Sequence, residues 1–249
     1  MNTVQQHLPT ARPTLSQRLR GYAVHVYTAS GVGLAFLAAM EICSPAPDPR
    51  RCFILLFAAV FVDATDGFFA RRWHVKTWAA AIDGRTIDDL VDYLTFTFLP
   101  LLLMWRMEWL PQPGALFAIP ALIASLFGFA NRGAKDETLG YFLGFPSYWN
   151  VVAFYAGLFG GRDVATIMGL ITLPLAILTV LPVRFIYPNL APRRWRGVVL
   201  IGALLWSVAL IALTANYPHG PLWLALLSLS YPAFYTILSF AVYRRGSTA

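Results

Sequence analysis

Of the twelve acidic residues in this 249-residue chain, six lie between positions 63 and 92: Asp63, Asp66, Asp83, Asp88, Asp89 and Asp92. The flanking sequence is strongly apolar. A carboxylate inside a membrane helix costs roughly 2.5–3.5 kcal/mol, so such a cluster persists only where cations or a wet cavity compensate it. Asp63 and Asp66 stand at i, i+3 and Asp88 and Asp92 at i, i+4, which puts each pair on one helix face. If the two helices are antiparallel neighbours joined through residues 73–84, both acidic faces converge at one depth. Four converging carboxylates repel unless hard divalent cations lie between them, and an all-oxygen donor set suits Mg²⁺ or Mn²⁺ rather than zinc. Two such ions can hold a pyrophosphate during phosphoryl transfer. The competing account pairs interfacial aspartates with Arg71, Arg72 and Arg85. Asp83 and Asp89 fall off both faces. Gly67 and Gly84 leave room beside each pair for a flat nucleotide, although helix-packing glycine is the alternative. Arg71, near the mouth, can clamp a phosphate.

The elements that must position these groups are membrane helices. The chain is 58% hydrophobic and 12% charged, which excludes a water-soluble globule. It also excludes a disordered or nucleic-acid-binding chain despite the net charge of +7. The basic excess is expected to face anionic headgroups. Eight apolar stretches approach the ~20 residues a bilayer core requires: Val24–Cys43, Cys52–Ala70, Ile87–Trp105, Ala115–Ala130, Tyr148–Gly160, Val164–Val183, Gly197–Ala215 and Leu222–Tyr243. The fifth is short. The expected fold is an all-α, polytopic membrane helix bundle, with residues 1–23 a cytoplasmic segment, 24–243 a single transmembrane catalytic domain and 244–249 a cytoplasmic tail. Thr14–Tyr22 is either a short interfacial helix or disordered. With both termini on the inner side, only Arg50, Arg51, Arg106 and Arg162 of the nineteen Lys and Arg residues fall outside, as the positive-inside rule requires. Cys43 and Cys52 bracket the first outer loop, as a disulfide or as two separate thiols.

Asp63-Ala-Thr-Asp66-Gly67-Phe-Phe-Ala70-Arg71, twelve residues, then Gly84-Arg-Thr-Ile-Asp88-Asp-Leu-Val-Asp92 resembles the CDP-alcohol phosphotransferase motif D-x₂-D-G-x₂-A-R…G-x₃-D-x₃-D. The long gap between Arg71 and Gly84, the eight-span count, Gly144-Phe-Pro-Ser-Tyr-Trp-Asn150 and, more loosely, Val24–Gly31 are similar to the bacterial branch of that family that uses choline as acceptor. The resemblance implies an enzyme of phospholipid biosynthesis in the bacterial inner membrane, active site facing the cytoplasm. In that reaction the choline hydroxyl attacks CDP-diacylglycerol to give phosphatidylcholine and CMP. By position it implies that Asp63, Asp66, Asp88 and Asp92 bind two divalent cations, Mn²⁺ or Mg²⁺, and that Asp92 is also the general base. Asp66, Gly67, Ala70, Arg71 and Gly84 would contact the CDP moiety. A homodimer is implied by the family.

Choline carries a quaternary ammonium that donates no hydrogen bond, so its site needs aromatic faces and a nearby carboxylate. Residues 136–155 supply Asp136, Glu137, Tyr141, Phe142, Phe145, Tyr148, Trp149, Asn150 and Tyr155, and Tyr141, Tyr148, Trp149, Asn150 and Tyr155 are the choline-site candidates. An interfacial aromatic belt is the competing account. Arg184 and Tyr187 are candidates for the lipid phosphate, or a basic interfacial anchor. His25 either bonds a neighbouring helix or lines the cavity. Two other functions stay open: a relative using serine, inositol phosphate or glycerol phosphate as acceptor, and a cation-coupled transporter. The latter predicts half-repeats or broken midplane helices, and the sequence shows neither.

Overall fold

A computed structural model gives the fold and describes residues 13–131, 133–136, 140–161 and 163–244. Glu137, Arg132 and Arg162, with residues 1–12 and 245–249, lie outside the described residues.

Helix α1 (Leu15–Ile42) opens on a capping box: the Thr14 hydroxyl accepts the Gln17 amide and the Gln17 side chain accepts the Thr14 amide at 2.8 Å. The cap starts the helix here, so residues 15–22 are the first turns of α1 rather than a separate interfacial helix. Its buried stripe of Gly21, Val24, Thr28, Gly31, Ala35, Ala38 and Ile42 recurs every three or four residues. Small residues there admit α2 (Pro49–Arg72) and α4 (Gly84–Asp92) to close packing. Asp48 caps α2 by accepting the Arg50 amide at 2.9 Å, with Pro49 in the first turn. Arg71 and Arg72 end α2 where the helix dipole favours cations. A single turn, α3 (Val75–Trp78), links it to α4.

The expected third span is continuous helix in three registers: α4, a π-helical segment Tyr93–Phe98, and α5 (Leu99–Arg106). Pro100 explains the break in register. It lacks the N–H that the Phe96 carbonyl would use in α register, and the Leu99 amide bonds the Leu94 carbonyl five residues back.

Beyond α6 (Ala115–Ala130) come α7 (Trp149–Leu158), α8 (Val164–Val180), α9 (Arg193–Ala215), α10 (Leu222–Ser228) and α11 (Ser230–Arg244). The fold departs from all-α in a small antiparallel sheet: β1 (Lys135–Asp136), β2 (Tyr141–Leu143) and β3 (Arg184–Ile186), in the order β1-β2-β3, with Tyr141 opposite Ile186. Two loops after apolar helices here satisfy each other's backbone groups.

Among the described residues four helical stretches are long and apolar enough to cross a membrane: Leu15–Ile42, Pro49–Arg72, Arg193–Ala215 and Leu222–Tyr243. Ala115–Ala130, Trp149–Leu158 and Val164–Val180 are shorter apolar helices. At ten residues α7 is only about 15 Å long. It sits in the core instead of facing lipid, with Trp149, Ala153, Phe154 and Ala156 fully buried. Phe154 packs on Phe53 and Tyr217 with ring centroids 5.1 and 5.0 Å away. Leu170, Leu204, Leu205, Ile211, Leu226 and Leu227 are exposed, an outer surface suited to lipid rather than water. The protein is a mostly helical membrane protein. Cys43 is exposed, Cys52 is buried, and both are free thiols, so the bridge is not formed.

Candidate active site

Asp83 sets up the acidic wall. Its carboxylate accepts the Arg85 amide at 3.1 Å and the Thr86 hydroxyl at 2.9 Å, starting α4 so that Asp88 and Asp92 fall on the face towards α2. The Thr86 hydroxyl, then the Arg85 amide, hold the Asp83 carboxyl below its usual range. One carboxylate oxygen each from Asp63, Asp88 and Asp92 lie within 4.8 Å of one another. Three clustered carboxylate oxygens could hold a metal ion, and an all-oxygen donor set is of the kind hard divalent cations take.

Asp66, expected as a fourth ligand, lines the same cavity but is directed elsewhere: its Oδ2 accepts the Thr28 hydroxyl at 2.8 Å. Three residues advance a helix by about 300°, so Asp66 stands roughly 60° from Asp63 round the axis, towards α1. Beside it the Tyr27 and Thr65 hydroxyls bond at 2.7 Å.

These acids form one wall of a cavity of about 490 Å³, within the range of small-molecule sites. Gly67 and Arg71 line it too, and a Cβ on Gly67 would meet only the Arg71 guanidinium, at 3.3 Å. Asp89, set aside in the sequence, also lines it and pairs with Arg85, Nε to Oδ2 3.6 Å. Of the other CDP-contact candidates, Ala70 packs with Val24, Val75 and Ala79, and Gly84 abuts the His25 ring, where a Cβ would come within 3.0 Å of Cε1. Neither is in the cavity lining. His25 bonds the Ala79 carbonyl at 3.4 Å, its helix-bonding alternative.

The opposite wall is aromatic and amide-rich: Phe96, Phe129, Asn131, Phe142, Phe145, Ser147, Tyr148, Tyr187 and Asn189. Of the five choline candidates only Tyr148 lines it, in the same cavity as Asp63 and Asp92 and with its ring 6.1 Å from Phe96. The other four are committed elsewhere. The Tyr141 ring already carries a cation, with the Arg184 guanidinium 4.8 Å above it. Trp149 is fully buried and donates to Ser125 at 2.8 Å. Asn150 is buried and accepts the Val151 amide. The Tyr155 hydroxyl bonds Ser228 at 2.7 Å and accepts from Trp206 at 3.0 Å, tying α7 to α9 and α10. Of the lipid-phosphate pair, Tyr187 lines the cavity and Arg184 does not.

Phe96, Phe129, Asn131, Asn189 and Thr28 were missed in the sequence. Only Thr28 had a signal, as the one hydroxyl in the small-residue stripe of α1. The others arrive from separate elements.

No family model matches the chain. It is 39% identical to a phosphatidylcholine synthase of Pseudomonas aeruginosa over 69% of this chain and 70% of that protein. Identity is 32% to the phosphatidylcholine synthase of Legionella pneumophila, over 91% and 90%, and 31% to that of Rhizobium meliloti, over 82% and 83%. With that similarity running across the acidic wall and most of the remaining chain, this protein belongs to the phosphatidylcholine synthase family.

Proposed function

We propose that this enzyme condenses CDP-diacylglycerol with choline to give phosphatidylcholine and CMP, by the chemistry of the wider CDP-alcohol phosphotransferases. The observation that carries the reading is the pairing in one cavity of three clustered carboxylates with an aromatic wall. Asp63, Asp88 and Asp92 would hold the divalent cation, and Asp66, once released from Thr28, would complete a second site. When bound, the ions neutralise the pyrophosphate and make CMP a better leaving group. Gly67 leaves the backbone open to the nucleotide, and Arg71 reaches a phosphate as a planar donor. Asp92, facing the aromatic wall, takes the proton of the choline hydroxyl as it attacks phosphorus. Tyr148 and the neighbouring phenyl rings offer π-faces to the trimethylammonium group while the carboxylates supply compensating charge. Tyr187 faces the lipid phosphate.

A second apolar cavity, between α6 and α8, shares Gly128, Asn131 and Leu143 with the first and is walled by Phe127, Val180 and Leu181. These three apolar side chains are exposed, which supports a diacyl donor entering from the bilayer. The first turns of α1, through His25 and Thr28, and the last of α11, through Tyr243 to the Gly140 carbonyl at 2.7 Å, both lie at the cavity end. That supports an even number of crossings. Eight follow if the α4–α5 stretch, α6, α7 and α8 each traverse, giving one transmembrane domain over 24–243 with the active site and both termini cytoplasmic in an inner membrane. The family resemblance adds a homodimer.

Purified protein given CDP-diacylglycerol with choline, serine, glycerol phosphate or inositol phosphate tests the reading. Phosphatidylcholine and CMP should form in equal amounts, and choline should be the best acceptor. A better rate with any other acceptor overturns the choline assignment, and CMP-independent behaviour overturns the transferase.

A further inference from the structure

The segment from Gly144 to Trp149 is held at both ends and in its middle. Gly144 has φ +82° and its amide bonds the Val183 carbonyl at 2.7 Å. A Cβ there would run into the Thr179 carbonyl oxygen. The Phe145 amide bonds the Leu178 carbonyl at 3.1 Å. Ser147 takes a left-handed backbone, φ +57°, which costs a residue with a Cβ and persists only where the surroundings hold it.

What holds it is Ser125, a fully buried residue of α6. Its Oγ accepts two hydrogen bonds, from the Ser147 hydroxyl at 3.0 Å and from Trp149 Nε1 at 2.8 Å. Ser147 is 3% exposed and Trp149 fully buried, so neither bond is exchanged with water without exposing the core. The residue between those two donors is Tyr148, the one aromatic choline candidate that lines the cavity.

We propose that Ser125 is a positioning residue for the acceptor site: by clasping the residues on either side of Tyr148 it fixes that ring in the cavity that Asp63 and Asp92 also line. The inference rests on the choline reading above and adds to it a residue outside the cavity lining. A side chain whose two neighbours are pinned to one buried oxygen has little freedom to rotate away, so the π-face is presented before choline arrives and less ordering accompanies binding. Removing the oxygen loosens the ring. Removing the Trp149 donor loosens it through the same bond.

The full-length protein, purified as parent, Ser125→Ala, Trp149→Phe, Ser125→Ala/Trp149→Phe, Ser125→Thr and Tyr148→Leu, is assayed for KM of choline, KM of CDP-diacylglycerol and kcat, with the thermal midpoint of each. The expected result is a choline KM raised about three- to tenfold in Trp149→Phe, which loses one buried hydrogen bond, and at least as much in Ser125→Ala, which loses both. KM for CDP-diacylglycerol should stay within about twofold of the parent on the same scale. The double variant should match Ser125→Ala, which already removes the Trp149 bond. Ser125→Thr, which keeps the hydroxyl, should return the choline KM towards the parent. A choline KM unmoved in Ser125→Ala and Trp149→Phe, with a lower thermal midpoint, makes Ser125 a structural strut and overturns the proposal. If Tyr148→Leu still raises the choline KM in that case, the acceptor reading stands. If Tyr148→Leu also leaves it unmoved, both fail. Should Ser125→Ala not fold, Trp149→Phe decides the matter alone.

Discussion

The two walls of the cavity are built in opposite ways. The acidic wall comes from two helices, α2 and α4, that both pack on α1, with each carboxylate placed by helical spacing and by a local cap at Asp83. The aromatic wall draws Phe96 from a π-helical segment, Phe129 from α6, Phe142 from a strand, Tyr148 from a loop and Tyr187 from the chain after β3. Chemistry that must hold cations at fixed distances rests on rigid periodic elements. In the proposed function, recognition of a soft trimethylammonium surface rests on irregular chain, held in place by long-range bonds such as those to Ser125.

The contrast predicts unequal losses. Asp88→Asn or Asp92→Asn should lower turnover by about a thousandfold or more, since a ligand or base serves the transition state itself, worth several kcal/mol. Loss within tenfold, read as CMP release, would break the distinction between the walls. Gly144→Ala comes next. It forces a Cβ into the Thr179 carbonyl at a left-handed position, so folded yield and thermal midpoint should fall, by about 1–3 kcal/mol of strain.

Tyr148→Leu should raise the choline KM about two- to thirtyfold, the range of one cation–π contact. Tyr155→Leu should leave the choline KM unchanged and lower the thermal midpoint, because its hydroxyl bonds Ser228 and Trp206 away from the cavity. If the two residues exchange these outcomes, the aromatic wall has been drawn in the wrong place.

The smallest effect belongs to Asp83→Ala. The Asp83 carboxyl is held below its usual value, so its contribution to stability is fully present above the unfolded pKa of about 3.9 and is lost as pH falls through the lower folded value. The midpoint gap between parent and Asp83→Ala should therefore be open at pH 7 and close in strong acid. A gap that widens on acidification contradicts the capping role.

The acidic wall was legible in the sequence because helical spacing is a local property: residues four apart share a face whatever the rest of the chain does. Even there the partner of Asp66 was not legible, since the hydroxyl bonded to its carboxylate sits 38 residues away on α1. The helices were legible as apolar runs, and Pro100 marks the register break in the third, but the ten-residue α7 depends on the packing around it. The aromatic wall was legible only as a density of rings. Tyr141, Trp149 and Tyr155 lie within seven residues of Tyr148, and their partners are Arg184, Ser125, Ser228 and Trp206. No spacing rule distinguishes a ring that faces a cavity from one that bonds a distant helix. The positive φ at Gly144 and Ser147 decides it here.

The central claim is that Asp63, Asp88 and Asp92 form the cation site on which transfer depends. Mn²⁺ titrated into chelator-stripped protein, with free Mn²⁺ followed by electron paramagnetic resonance and CMP release measured on the same samples, tests it in parent and Asp63→Asn. Stripped protein should show no turnover, activity should recover as Mn²⁺ binds to the parent, and binding should be at least about tenfold weaker in the variant, a loss of ~1.4 kcal/mol or more. Parental turnover without metal, or equal Mn²⁺ affinity in the two proteins, would contradict it.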